Sequence, residues 1–170
     1  MTLLAVCFWM SIQLLAYIYA GYPLLVWLLG QLRPASVRRA AYTGQLSIVI
    51  AGYNEGNRLA RKLDSLFTAD AAAQIAEVLV GSDGSDDDTA DVIARYSSER
   101  VRLITFAERR GKPAVLNDLV PLCQSPIVVL TDARQALDHQ ALSLLAACFA
   151  DPTVGVVSGE LVFHTVNSDS

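Results

Sequence analysis

Two aspartates and two cations carry the chemistry this sequence can offer. Asp132 follows residues 127–130, an apolar, β-branched run that reads as a short strand buried on both faces of a sheet. A carboxylate held by a rigid strand end can meet a cation, and the cation can meet phosphate. The bland alternative is a turn cap. Asp83 follows another apolar strand, and Gly84 behind it lets the backbone turn close to a ligand. A carboxylate there can accept from a nucleobase imide N–H or from ribose hydroxyls. Lys112 closes a basic loop, ERRGK, and Arg134 stands two residues past Asp132, where a guanidinium can contact phosphate. The aspartates at 86, 87 and 88 precede a helix, where capping accounts for them.

The elements that must position these groups alternate. Strands are expected at residues 46–51, 77–80, 101–106, 127–130 and 154–158. Between them lie helices: one capped by Asn57 with Leu59, Leu63, Leu66 and Phe67 at helical spacing, and a short one ending near Tyr96. A third has Pro113 at its start, and a fourth follows Asp138 and buries Leu142, Leu145 and Phe149. Such alternation predicts an α/β fold: a mostly parallel sheet with helices on both faces and right-handed crossovers. All strand carboxyl ends then share one edge. Tyr53, Asn54, Glu55, Asp83, the 109–112 loop and Asp132 should meet there, where open α/β sheets bind ligands.

Other chemistries fail on spacing. A Walker A loop ending at Gly111-Lys112 would need glycine where Phe106 stands and a hydroxyl where Pro113 stands. No GxGxxG can be completed around Gly81 and Gly84, and the aspartates miss the alternating register of a calcium loop. His139 and His164 lack a strand-turn serine. Cys7, Cys123 and Cys148 match no zinc spacing or disulfide framework. The net charge of −4 makes nucleic acid a poor partner.

The 53% hydrophobic share is concentrated at the amino end: Leu3–Leu32 carries no charge over 30 residues, and about 20 suffice to span a bilayer. A signal peptide would carry a cationic leader, which MTLL lacks, so a retained anchor is expected over residues 1–32. Gly21 and Pro23 predict a kink. Arg33, Arg38 and Arg39 follow the span and none precedes it, which predicts a cytoplasmic domain on the cell (inner or plasma) membrane. Residues 33–45 read as a basic linker and 46–170 as the globular part.

Five co-linear blocks then become specific: SIVIAGYNEGNRLARKLDSL, EVLVGSDGSDDDT, RRGKPAVLN, VVLTDAR and DPTVGVVSGEL. Together they resemble the family 2 glycosyltransferases of GT-A fold, in the membrane-anchored, processive-synthase-like branch, over about residues 46 to 161. A sugar-1-phosphate nucleotidyltransferase would open on a glycine-rich GxGTR-like loop, whereas this chain has AGYNEG. The resemblance implies inverting transfer from a nucleotide diphosphate sugar to a glycan or lipid acceptor. It implies donor binding by Tyr53, Asn54, Glu55, Asp83, Lys112, Asn117 and Arg134. It also implies a divalent metal, Mg or Mn, at Asp132. That metal site departs from a DxD motif, since the third position is Arg134 and only one protein carboxylate remains. The general base and a QxxRW-like acceptor segment are expected after residue 170, so the chain reads as an amino-terminal fragment. Glu160 is a candidate for the acceptor side and receives no base role. The alternative is a truncated, catalytically inactive, membrane-tethered module that binds nucleotide or a partner.

Overall fold

The computed structural model describes residues 2–32, 36–96 and 100–162. Arg33, His164 and the end of the chain, invoked above, lie outside them. The chain divides into two units, Met1–Val37 and Arg38–Ser170. In the first, α1 (Leu3–Ala16) and α2 (Tyr22–Leu32) are joined by a π-helical turn over Tyr17–Gly21. Pro23 has no N–H to give the carbonyl of Tyr19, and its ring crowds that carbonyl; a widened turn just before it relieves both. The irregularity falls where Gly21 and Pro23 place it. Leu3–Leu32 is long and apolar enough to cross a membrane, and none of its helical residues is buried.

The second unit is built on four parallel strands, β1 (Leu46–Gly52), β2 (Ile75–Asp83), β3 (Val101–Phe106) and β4 (Ile127–Thr131), in the order β3-β2-β1-β4. Alternation along β1 decides what covers each face. Ile48 and Ile50 point to α3 (Gly56–Thr68), α4 (Thr89–Ala94) and α6 (Ala141–Ala147), meeting Leu59, Leu63, Ile93 and Leu142. Val49 and Ala51 point to the opposite face, where α5 (Lys112–Leu119) supplies Val115 and Leu119. Both faces therefore carry helices. Gly81 lets α5 lie close, because a Cβ there would run into Val115 and Leu119.

Three local expectations are corrected. Residues 154–158 form no strand; the segment runs beside β4 without a ladder, with Val156 88% exposed. Among the described residues strand β4 is therefore an edge, and it is not buried on both faces. Leu130, in register with Val49, is 56% exposed beside an open depression against α5. The cap of α3 is Glu55, whereas Asn57 is an exposed residue inside the first turn.

A buried polar knot ties the amino ends of the strands. Glu77, 6% exposed, accepts from Ser47 Oγ at 2.7 Å and from the Gln124 N–H at 2.6 Å, and Ser125 N–H donates to Ser47 Oγ at 3.1 Å. Arg102 stands 3.8 Å from its other oxygen. Glu77→Ala orphans a hydroxyl and an amide, so urea unfolding should show a loss of about 2–4 kcal/mol. The stretch from Arg38 is strapped to the same unit: Arg38 N–H donates to Asp151, Ala40 N–H to the Ala147 carbonyl, and Gln74 Nε2 to the Tyr42 carbonyl.

Candidate functional site

The sheet order reverses direction between β1 and β4, and a cavity of about 490 Å3 opens beyond their carboxyl ends. Its wall takes Tyr53 and Glu55 from the turn after β1, Asp83 from the end of β2, Arg109 and Lys112 from the loop before α5, and Asp132 with Arg134 from the turn after β4. The predicted convergence of four distant loops is present. Two other expected residues are not part of it. Asn54, at φ 53°, donates its backbone N–H to Ser85 and exchanges side-chain bonds with Asp86, so it locks the β1 turn to the β2 turn. Asn117 lies exposed on α5, in a separate depression with Pro113, Val120 and Leu130.

Asp83 is 5% exposed and holds the basic loop by its backbone. Its two oxygens accept from the N–H groups of Arg110 at 2.7 Å and Gly111 at 2.8 Å. Gly84, at φ 70°, permits the approach, since a Cβ would sit 2.8 Å from the Arg109 nitrogen. Gly111, at φ 86°, then turns the chain into α5 with Lys112 as its first residue. Lys112 Nζ pairs with Asp132, both partly exposed. The Arg109 guanidinium lies 4.3 Å from the Tyr53 ring centroid, a cation–π contact on the cavity wall.

Glu55 is the buried counterweight. Its carboxylate takes Arg134 Nε at 2.5 Å on one oxygen and Arg58 at 2.7 Å on the other. Burial pushes its pKa up, but the hydrogen bonds and charges of Arg58 and Arg134 outweigh that and hold it below the usual range. Arg134 is thereby aimed at the cavity while its side chain stays 69% exposed.

The sequence model for Glycosyl transferase family 2 matches residues 47–170. The chain belongs to that family. Among its relatives is the succinoglycan biosynthesis protein ExoU of Rhizobium meliloti (strain 1021), 35% identical over 97 residues, which are 55% of this chain and 27% of that protein. The poly-beta-1,6-N-acetyl-D-glucosamine synthase of Staphylococcus epidermidis is 26% identical over 116 residues, 67% of this chain and 28% of the synthase. The chain thus spans about a fifth to a third of the length of the curated relatives it matches. Of solved structures, the mannosyltransferase PcManGT from Pyrobaculum calidifontis, in complex with GDP-Man and Mn2+, superposes with a TM-score of 0.69 at 27% identity. That match covers 85% of this chain and 44% of the other. The fold is accordingly of the GT-A type.

One buried residue behind this site escaped the sequence reading. Lys62, 3% exposed, lies within the inner stripe of α3 and donates from Nζ to the Gln135 carbonyl at 2.7 Å. Its position among Leu59, Leu63 and Leu66 was the available signal, since a lysine on an apolar stripe has to find a buried partner. Burial lowers its pKa from 10.5 to about 8, and the charge of Asp132 offsets only part of this. Between those two values the unfolded chain holds the proton that the folded chain has released, so stability should rise as pH rises through that window. The full shift corresponds to roughly 3 kcal/mol. Urea midpoints at the two ends of the window should rise in the parent chain relative to Lys62→Met.

Among the described residues no three His, Cys, Asp or Glu side chains cluster as a metal cage. Asp132 offers a single exposed carboxylate at the cavity. That donor set fits a hard divalent ion that takes its remaining ligands from ligand oxygens and water.

Proposed function

We propose that the chain binds a nucleotide diphosphate sugar in the β1–β4 cavity and transfers the sugar, with inversion, to a glycan or lipid acceptor. The observation that carries this is the meeting of Asp83, Lys112, Asp132 and Arg134 at one cavity on the carboxyl edge of a GT-A sheet. Asp83 has acceptor capacity beyond the two loop amides for a base imide or a ribose hydroxyl, and Tyr53 with Arg109 forms a flat wall beside it. Lys112 neutralises Asp132 in the absence of donor and is free to turn to the diphosphate when the carboxylate is otherwise engaged. Arg134, steadied by Glu55, adds a second cation to the leaving group. A magnesium or manganese ion held by Asp132 would supply Lewis-acid stabilisation of the departing diphosphate.

PcManGT is described with GDP-Man and Mn2+, which supports a nucleotide sugar with a divalent metal here. Leu3–Leu32 serves as the membrane anchor, residues 33–45 as linker and 46–170 as the cytoplasmic catalytic domain; the cationic residues after the span favour that side. Titration calorimetry of the full chain with UDP and with GDP tests the reading. At least one should bind more tightly with Mn2+ than with a chelator, and binding of neither would defeat it.

A further inference from the structure

The turn after β4 carries Asp132 and Arg134, yet little fixes it. Beyond the β1–β4 ladder, which ends at Thr131, no backbone–backbone hydrogen bond among the described residues ties residues 132–135 to the rest of the fold. Two of its side-chain contacts lie at the cavity: Lys112 with Asp132, both partly exposed, and the exposed Arg134 with the buried Glu55. The third contact is of another kind. Lys62 reaches from the buried stripe of α3 to the carbonyl of Gln135, three residues past Asp132, at 2.7 Å. Gln135 lines the donor cavity, and on its other side a cavity of about 340 Å3 lies against Lys62 and Ser65. Ala133, 8% exposed, packs into the same core as Leu59 and Leu63.

A buried ammonium is an expensive way to hold a loop, because its charge is desolvated and its partner is neutral. A carbonyl acceptor satisfies geometry more than charge. The arrangement is therefore suited to fixing a position.

We propose that Lys62 is a positioning residue for donor binding: it pins residues 132–135 through the Gln135 carbonyl and so sets where Asp132 and Arg134 stand in the cavity. This rests on the donor-site reading above. Lys62 itself does not line the donor cavity, and its effect passes through the backbone. Loss of a supporting contact of this sort costs about tenfold or more in affinity.

The test uses the full chain in detergent micelles, titrated with UDP and with GDP in the presence of Mn2+. Hydrogen exchange of residues 131–136 is followed in parallel. Lys62→Met should bind the preferred diphosphate about tenfold more weakly and exchange faster in that segment, with a melting temperature at neutral pH no lower than the parent's. Lys62→Arg, for which the adjoining cavity leaves room, keeps the donor and the charge and should stay within about threefold of the parent. A Lys62→Met protein with parental affinity and parental exchange overturns the inference alone. A parent chain that binds neither diphosphate overturns the donor-site reading, and the inference with it.

Discussion

Asp132→Asn should abolish the metal-dependent part of nucleoside diphosphate binding and lower transfer by about a thousandfold, roughly 4 kcal/mol of transition-state stabilisation. The carboxylate stands alone: Arg134 occupies the position where a second acidic ligand would help, and no other cluster substitutes for it among the described residues. An amide keeps the shape and loses the charge, so Lys112 also loses its ion-pair partner. Metal-free affinity should then hold or rise slightly, since Lys112 and Arg134 face the diphosphate with less competition. Calorimetry with Mn2+ and with chelator separates the two effects. Equal metal enhancement in Asp132→Asn and the parent would remove Asp132 from the metal role.

Asp83→Ala should weaken nucleoside diphosphate binding about a hundredfold, near 3 kcal/mol. The size comes from two losses at once. Asp83 is the acceptor for the amides of Arg110 and Gly111, so without it the loop that delivers Lys112 and Arg109 loses its fixed geometry. It is also a buried carboxylate on the cavity wall with acceptor capacity for a base or ribose. Asp83→Asn retains one acceptor oxygen and should recover part of the affinity. Faster hydrogen exchange over residues 108–112 in the alanine variant would report the loop component separately from ligand contact.

Much of this fold was legible because parallel strands buried on both faces need continuous apolar runs. Residues 46–51 stand out from the loops around them for that reason, whereas 101–106 form the other edge strand, with Arg102 and Thr105 exposed. The gathering of Asp83 and Asp132 follows from topology alone once the strands are parallel. What was not legible depended on partners beyond the local pattern. Residues 127–130 read as fully buried because the run is apolar, yet β4 is an edge and Leu130 faces outward. Residues 154–158 carry strand composition but have no ladder.

The site was legible to a similar depth. Tyr53, Glu55, Asp83, Lys112 and Asp132 were placed by strand ends, and they do meet, with Arg134 beside them. Asn54 sits in the expected loop, but its left-handed backbone turns its side chain toward Asp86. Asn117 follows Lys112 by five residues on a helix, which carries it away from the cavity. Asp83 does more than its residue type suggested, because only the fold reveals that two loop amides converge on it. The pairing of Arg134 with Glu55 likewise needed three dimensions, since 79 residues separate them.

The account is tested most directly by a structure of the full chain with a nucleoside diphosphate and Mn2+. The base should lie against Asp83 and the Tyr53–Arg109 pair, with the diphosphate between Lys112 and Arg134 and the ion on Asp132. Density for the nucleotide anywhere outside the β1–β4 cavity, or an ion that leaves Asp132 untouched, would contradict it.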